Sequence, residues 1–188
     1  MRNRTFTSSL NATAIAVFVA GAANATVVCQ NTCTAAISGP KQGVHTQFDG
    51  TADAILWPPN HKLTTILIEG QNQNGQPCDI TITSTTQDEP VTGEGSGSTS
   101  PDAANCDNSC GSDPNSACID LRAERSGTLK DGRYYHVNFT MIGPDCPFAP
   151  AIMDTAVVLV PHDQGNAHLL SWVDGPQIYP STTEACQP

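Results

Sequence analysis

The chain has 188 residues, of which 5% are aromatic and 14% charged, and 18 Asp and Glu against 8 Lys and Arg give it a formal charge of −10. Such a surface repels phosphate backbones and anionic lipid, which counts against nucleic-acid binding and polybasic membrane docking. The length allows one domain of ordinary size and leaves a second independent core without material.

From the N-terminus, Arg2 and Arg4 precede an apolar run over 12–23, and Ala23-Asn24-Ala25 supplies small residues where a signal peptidase reads. The pattern predicts a signal peptide over 1–25, cleaved after Ala25. The run is too short for a transmembrane helix, which needs about 20 apolar residues. Export implies an oxidising compartment: secreted, cell-surface or periplasmic. All eight cysteines lie beyond the signal, at Cys29, Cys33, Cys78, Cys106, Cys110, Cys118, Cys146 and Cys186. An even count in a short exported chain reads as a disulfide framework. Residues 26–53 form an N-terminal disulfide-bearing segment.

Helical periodicity is nearly absent. Short runs rich in Ile, Val, Thr and Tyr alternate with Gly, Pro, Asn and Asp clusters, which predicts an all-β fold: an immunoglobulin-like antiparallel β-sandwich over 54–174, stapled by disulfides. Strands are expected near 54–56, 62–69, 78–86, 119–125, 133–142, 153–160 and 168–173, followed by a tail over 175–188. The Gly- and Asp-Gly-containing segment 126–132 predicts a hairpin joining the fourth and fifth of these. In the fifth, Tyr135, Val137, Phe139 and Met141 share one face and are expected to be core. The apolar run over 156–160 predicts a strand buried centrally in the sandwich.

Between 88 and 118 the composition turns to Gly, Ser, Asn, Asp and Pro, with no Lys or Arg and three cysteines close together. This predicts a long acidic loop stapled by disulfides. Its carboxylates Asp88, Glu89, Glu94, Asp102, Asp107 and Asp113 are the residue type calcium takes, and glycines let a backbone wrap an ion. The spacing matches no EF-hand and no calcium nonapeptide repeat, so calcium is a compositional expectation and a solvated acidic loop is the alternative. The absence of any Cys-x-x-Cys pair argues against zinc, iron–sulfur clusters and attached haem. No Gly-x-Ser-x-Gly elbow, His-Glu-x-x-His helix or phosphate loop occurs, which argues against the common hydrolytic and nucleotide sites.

Three polar stretches remain: Trp57-Pro58-Pro59-Asn60-His61-Lys62, then Leu121-Arg122-Ala123-Glu124-Arg125-Ser126-Gly127, then Val160-Pro161-His162-Asp163-Gln164. On a strand Arg122 and Glu124 share a face, and Arg125 falls on the row of Leu121 and Ala123. A guanidinium on a core-facing row needs a carboxylate or carbonyls to receive it. These groups either lock loops at the ends of the sandwich or form a recognition patch containing His61, Arg125 and His162.

These stretches, with Asp88-Glu89-Pro90-Val91 and the Gly-rich continuation to Pro101-Asp102, resemble a small extracellular β-sandwich module of exported bacterial proteins. It is found beside hydrolase domains or other immunoglobulin-like, hyaline-repeat-like or fibronectin-type modules. The similarity spans roughly 54–164. It implies a non-catalytic accessory or adhesion domain with Trp57, Asn60, His61, Arg122, Glu124, Arg125, His162 and Asp163 among its signature positions. It also implies a bridge between Cys78 and Cys146; the other six cysteines, placed toward the termini and in the acidic loop, read mainly as staples for segments outside the core. The expected function is a secreted binding, adhesion or surface-structural module with an extracellular protein or polysaccharide partner. A subunit of an extracellular polymer, assembled through edge strands, and a small hydrolase using His61 or His162 are its rivals.

Overall fold

The computed structural model describes residues 31–39, 52–93, 96–105, 115–162 and 174–185. All regular structure among these is β, arranged as two five-stranded sheets. The first sheet has the order β1 (Thr34–Ser38), β3 (Leu63–Gln71), β6 (Ser116–Arg122), β5 (Ala103–Asn105), β10 (Thr182–Ala185). The second has the order β2 (Ala54–Ile55), β8 (Ile152–Val160), β7 (Arg133–Ile142), β4 (Asp79–Gln87), β9 (Tyr179–Pro180).

One core lies between the sheets. Ile66, Ile68, Ile119 and Leu121 enter from the first, and Tyr135, Val137, Phe139, Met141, Ala156 and Val158 from the second. The period-two alternation of β7 places the expected row inward, because successive side chains of a strand point to opposite faces. Burial of each large apolar side chain contributes about 1.5–3 kcal/mol. The run 156–160 lies in β8, second from the edge of its sheet. It is covered on both faces, since Leu159 packs with Tyr134 on the side away from the core.

Several expectations are corrected. β6 and β7 do not form a hairpin: β6 pairs with β3 and β5, and β7 with β4 and β8. Residues 123–132 are a crossover between sheets, and the hairpin partner of β7 is β8. Gly132, with φ +79°, is there because a Cβ would stand 2.7 Å from the Val160 carbonyl oxygen, not to make a tight turn. Two pairings are parallel rather than antiparallel, β2 with β8 and β10 with β5. The sheets also take in β1, β9 and β10 from outside 54–174, and β5 and the start of β6 lie within the expected acidic loop. The expected strand over 168–173 lies outside the described residues.

The disulfide is also different. Cys78 is bonded to Cys33, not to Cys146, across a sequence separation of 45. Cys33 is buried in the core at the foot of β1, so this bridge ties the first sheet to the start of β4 in the second. Cys118 and Cys146 are disulfide-bonded too. Cys118 is a buried residue of β6 opposite Leu67, so its bridge starts from a strand rather than from a loop. Cys29, Cys106, Cys110 and Cys186 lie outside the described residues.

At the end opposite Cys33–Cys78, three connections pass from one sheet to the other: 56–62 from β2 to β3, 88–102 from β4 to β5, and 123–132 from β6 to β7. Trp57, Asn60, His61, Glu124 and Arg125 sit on these three, and Arg122 ends the strand that leads into the last.

Candidate functional site

The three connections are joined by a buried ionic network centred on Arg133, the first residue of β7. It heads the inward row Tyr135, Val137, Phe139, Met141, so its guanidinium is carried into the interior with no exposure. Carboxylates receive it there: Nε donates to Glu89 Oε2 at 3.1 Å and Nη1 to Asp102 Oδ2. Nη2 donates to the Pro90 carbonyl at 3.3 Å. Gln87 donates to Asp102 Oδ2 at 2.8 Å and to the Glu89 carbonyl at 2.7 Å. The Ser126 amide donates to Glu89 Oε2 at 2.6 Å, and Tyr135 Oη donates to the Arg122 carbonyl at 2.9 Å.

Burial pushes the carboxyls of Glu89 and Asp102 above the usual carboxylate range, with Arg133 pulling each the other way. Burial would lower Arg133, but Tyr135, Asp102 and Glu89 together outweigh it and hold the guanidinium above its ordinary value. Two arginines, Arg133 and Arg122, thus stand among three buried carboxyls, those of Glu89, Asp102 and Glu124. Glu89 Oε1, Asp102 Oδ1 and Glu124 Oε1 are buried without a hydrogen bond from the described residues.

His61 stands where this network meets solvent. It has φ +61°, a left-handed conformation that a side chain other than glycine holds only when its surroundings over-determine it. They do so here. The His61 amide donates to the Ala123 carbonyl at 3.0 Å, its carbonyl accepts from Arg122 Nη1 at 2.7 Å, and Nδ1 lies 3.0 Å from Glu124 Oε2. Arg122 is itself oriented by the Pro101 carbonyl, 2.8 Å from Nε. The glycine-rich loop closes over the pair: a Cβ on Gly97 would stand 2.6 Å from His61 Cε1 and 2.9 Å from Glu124 Oε1, and Gly97 has φ +60°. The imidazole is 53% exposed and Glu124 fully buried. The pairing is suited to a hydrogen bond in which Nδ1–H donates to the buried carboxylate, which fixes the orientation of the ring.

Of the other expected residues, Arg125 turns to carbonyls, Nε donating to His162 O at 3.1 Å and Nη1 to Ser126 O at 3.4 Å. Asn60 Oδ1 accepts the Lys62 amide at 3.0 Å and shapes the turn into β3. Trp57 is half-buried and joined to Pro58 by a cis peptide bond. Asp163 lies outside the described residues. The structure thus brings His61, Arg122 and Glu124 into direct contact and reaches His162 through Arg125.

The expected calcium ligands separate. Glu89 and Asp102 sit on Arg133, whereas Asp88 accepts the Tyr134 amide at 2.9 Å and the Gly175 amide at 3.2 Å. Burial raises the Asp88 carboxyl above its usual range. Glu94, Asp107 and Asp113 lie outside the described residues, and among those described no three His, Cys, Asp or Glu converge into a metal site. Gln87, Gly97, Arg133 and Tyr135 were not expected at the site. Arg133 carried a signal of the kind that marked Arg125, a guanidinium on a core-facing row.

Compared with known proteins, this all-β, two-sheet chain matches no family model, no curated protein sequence and no solved structure.

Proposed function

We propose that the chain is an exported, non-catalytic, immunoglobulin-like binding or adhesion module of the hyaline-repeat-like kind, recognising an extracellular protein or polysaccharide through the end of the sheets that carries His61. The observation that carries this is the half-exposed imidazole of His61, fixed by its amide, its carbonyl, its ring nitrogen and a glycine packed on its ring. A surface histidine held at a strained φ from so many directions is pre-organised, and pre-organisation raises affinity by removing the cost of ordering the contact. The Cys33–Cys78 disulfide fits an extracellular or periplasmic location.

The test uses labelled mature protein sedimented with insoluble cell-envelope and extracellular-matrix fractions. Retention is expected, and His61→Gln is expected to abolish it without changing the near-UV circular dichroism. Ester, peptide and glycoside substrates are expected to show no turnover. Turnover lost in His61→Gln would replace the binding module with a hydrolase.

A further inference from the structure

The outward face of the second sheet is built differently from the His61 end. In register across β4, β7 and β8 stand Thr81, Thr140 and Met153, and next to them Ser84, Asn138 and Thr155. Asn138 is the hub of the second row: its Nδ2 donates to Ser84 Oγ at 3.0 Å and its Oδ1 accepts from Thr155 Oγ1 at 2.8 Å. The β4 register shifts between Ile82 and Ser84, where Thr83 is the extra residue, and its Oγ1 donates to the Asn138 carbonyl at 3.1 Å. Bulges of this kind re-aim side chains at sites. A shallow depression of about 490 Å³ lies here, lined by Thr83, Asn138, Thr140, Met153, Asp154 and Thr155 among others. That volume lies within the range of small-ligand sites.

The chemistry of the depression selects its ligand. β4 and β8 carry no Lys or Arg, and the one arginine of β7, Arg133, is buried. The neighbouring His136 is engaged with the Asp174 carboxylate at 2.6 Å, so an anionic ligand meets no exposed lysine or arginine on these strands. Hydroxyls and a carboxamide both donate and accept, and the polar partner that matches a surface of such groups is one that also does both. Met153, 83% exposed, adds one polarisable apolar platform beside them. The geometry points to a saccharide-binding face, in which the hydroxyls of a neutral sugar pair with Thr83, Asn138 and Thr155 while its C–H face lies on Met153. This site is separate from His61 and does not rest on it.

Native-gel affinity electrophoresis with hydroxyethyl cellulose, laminarin, yeast mannan and glycol chitin tests it. At least one polysaccharide is expected to retard the protein. Met153→Arg, at an exposed position that cannot disturb the core, and Thr155→Val, which keeps the shape and loses the hydroxyl, are each expected to weaken that binding about tenfold, equivalent to about 1.4 kcal/mol. His61→Gln is expected to leave it unchanged. Retardation by none of the four overturns the assignment. So does retardation that His61→Gln removes while Met153→Arg and Thr155→Val leave it intact.

Discussion

Replacing Arg133 with Met keeps most of the side-chain volume and deletes the charge that Glu89 and Asp102 share. Nothing else among their described contacts is a full positive charge within 3.5 Å, since the nearest alternative, Arg122 Nε, is 4.0 Å from Asp102 Oδ1. Removing one partner of a buried ion cluster costs about 3–5 kcal/mol, because the remaining charge is left desolvated. A domain of this size is stable by about 5–15 kcal/mol and moves by about 2–4 °C in Tm per kcal/mol, so Arg133→Met is expected to lower Tm by about 6–20 °C. Arg133→Lys is expected to lose less but not to recover fully, since a point charge cannot span two carboxylates and the Pro90 carbonyl as the planar guanidinium does. Adding Asp102→Asn to Arg133→Met removes one of the stranded charges, so the double variant is expected to be less destabilised than the sum of the two single losses. Equilibrium urea unfolding with unchanged slopes is the assay. An Arg133→Met variant that melts within about 2 °C of the parent would refute the view that this network holds the crossovers together, given the expected loss.

Gly97→Ala places a methyl group 2.6 Å from His61 Cε1 at a left-handed φ, and is expected to cost about 1–3 kcal/mol in denaturant and to displace the His61 Cε1–H resonance in the NMR spectrum. An unmoved resonance would contradict the clasp. The raised carboxyls of Asp88, Glu89 and Asp102 make a signed prediction. As pH rises above about 4 the unfolded chain releases these protons first, so their contribution to stability falls as pH climbs through the folded values. Thermal melts are therefore expected to show a higher Tm at pH 5 than at pH 7, and the deficit of Arg133→Met is expected to be smaller at pH 5 than at pH 7. A parent Tm that declines steadily on acidification from pH 7 would contradict this. Non-reducing peptide mapping is expected to recover Cys33 linked to Cys78, and the paired serine substitution to cost about 4 kcal/mol for a loop closed over 45 residues. A Cys78–Cys146 peptide would overturn the pairing.

Much of the fold was legible because β periodicity is local. Tyr135, Val137, Phe139 and Met141 announce their face by alternation alone, and the Thr- and Ile-rich runs of β3 and β4 announce theirs. Pairing is not local, and there the sequence misled: the glycines after Ser126 serve a crossover and a close approach to β8, which look like a turn until Val160 is in place. β5 and β9 are too short to carry a pattern, and β10 pairs in parallel with a strand far away in the chain. At the site, Arg122, Glu124 and His61 could be grouped by residue type, but their contact depends on two crossovers meeting. Arg133 was missed although it stands on the row of Tyr135, because its partners Glu89 and Asp102 lie 44 and 31 residues back in the chain. Glu89 and Asp102 come from a segment whose composition suggested solvent.

The three connections that build the site each cross between the sheets, and this sets how the molecule can open. The amides of His61 and Ser126 are bonded to groups on other crossovers, so no single loop can lift away and expose them. Their hydrogen exchange should proceed only through separation of the sheets, with protection as high as that of the β7 core amides rather than at the level usual for surface loops. A ligand held at this seam would fasten one sheet to the other, and a pull applied across the sheets would load the recognition site before it reached the apolar core.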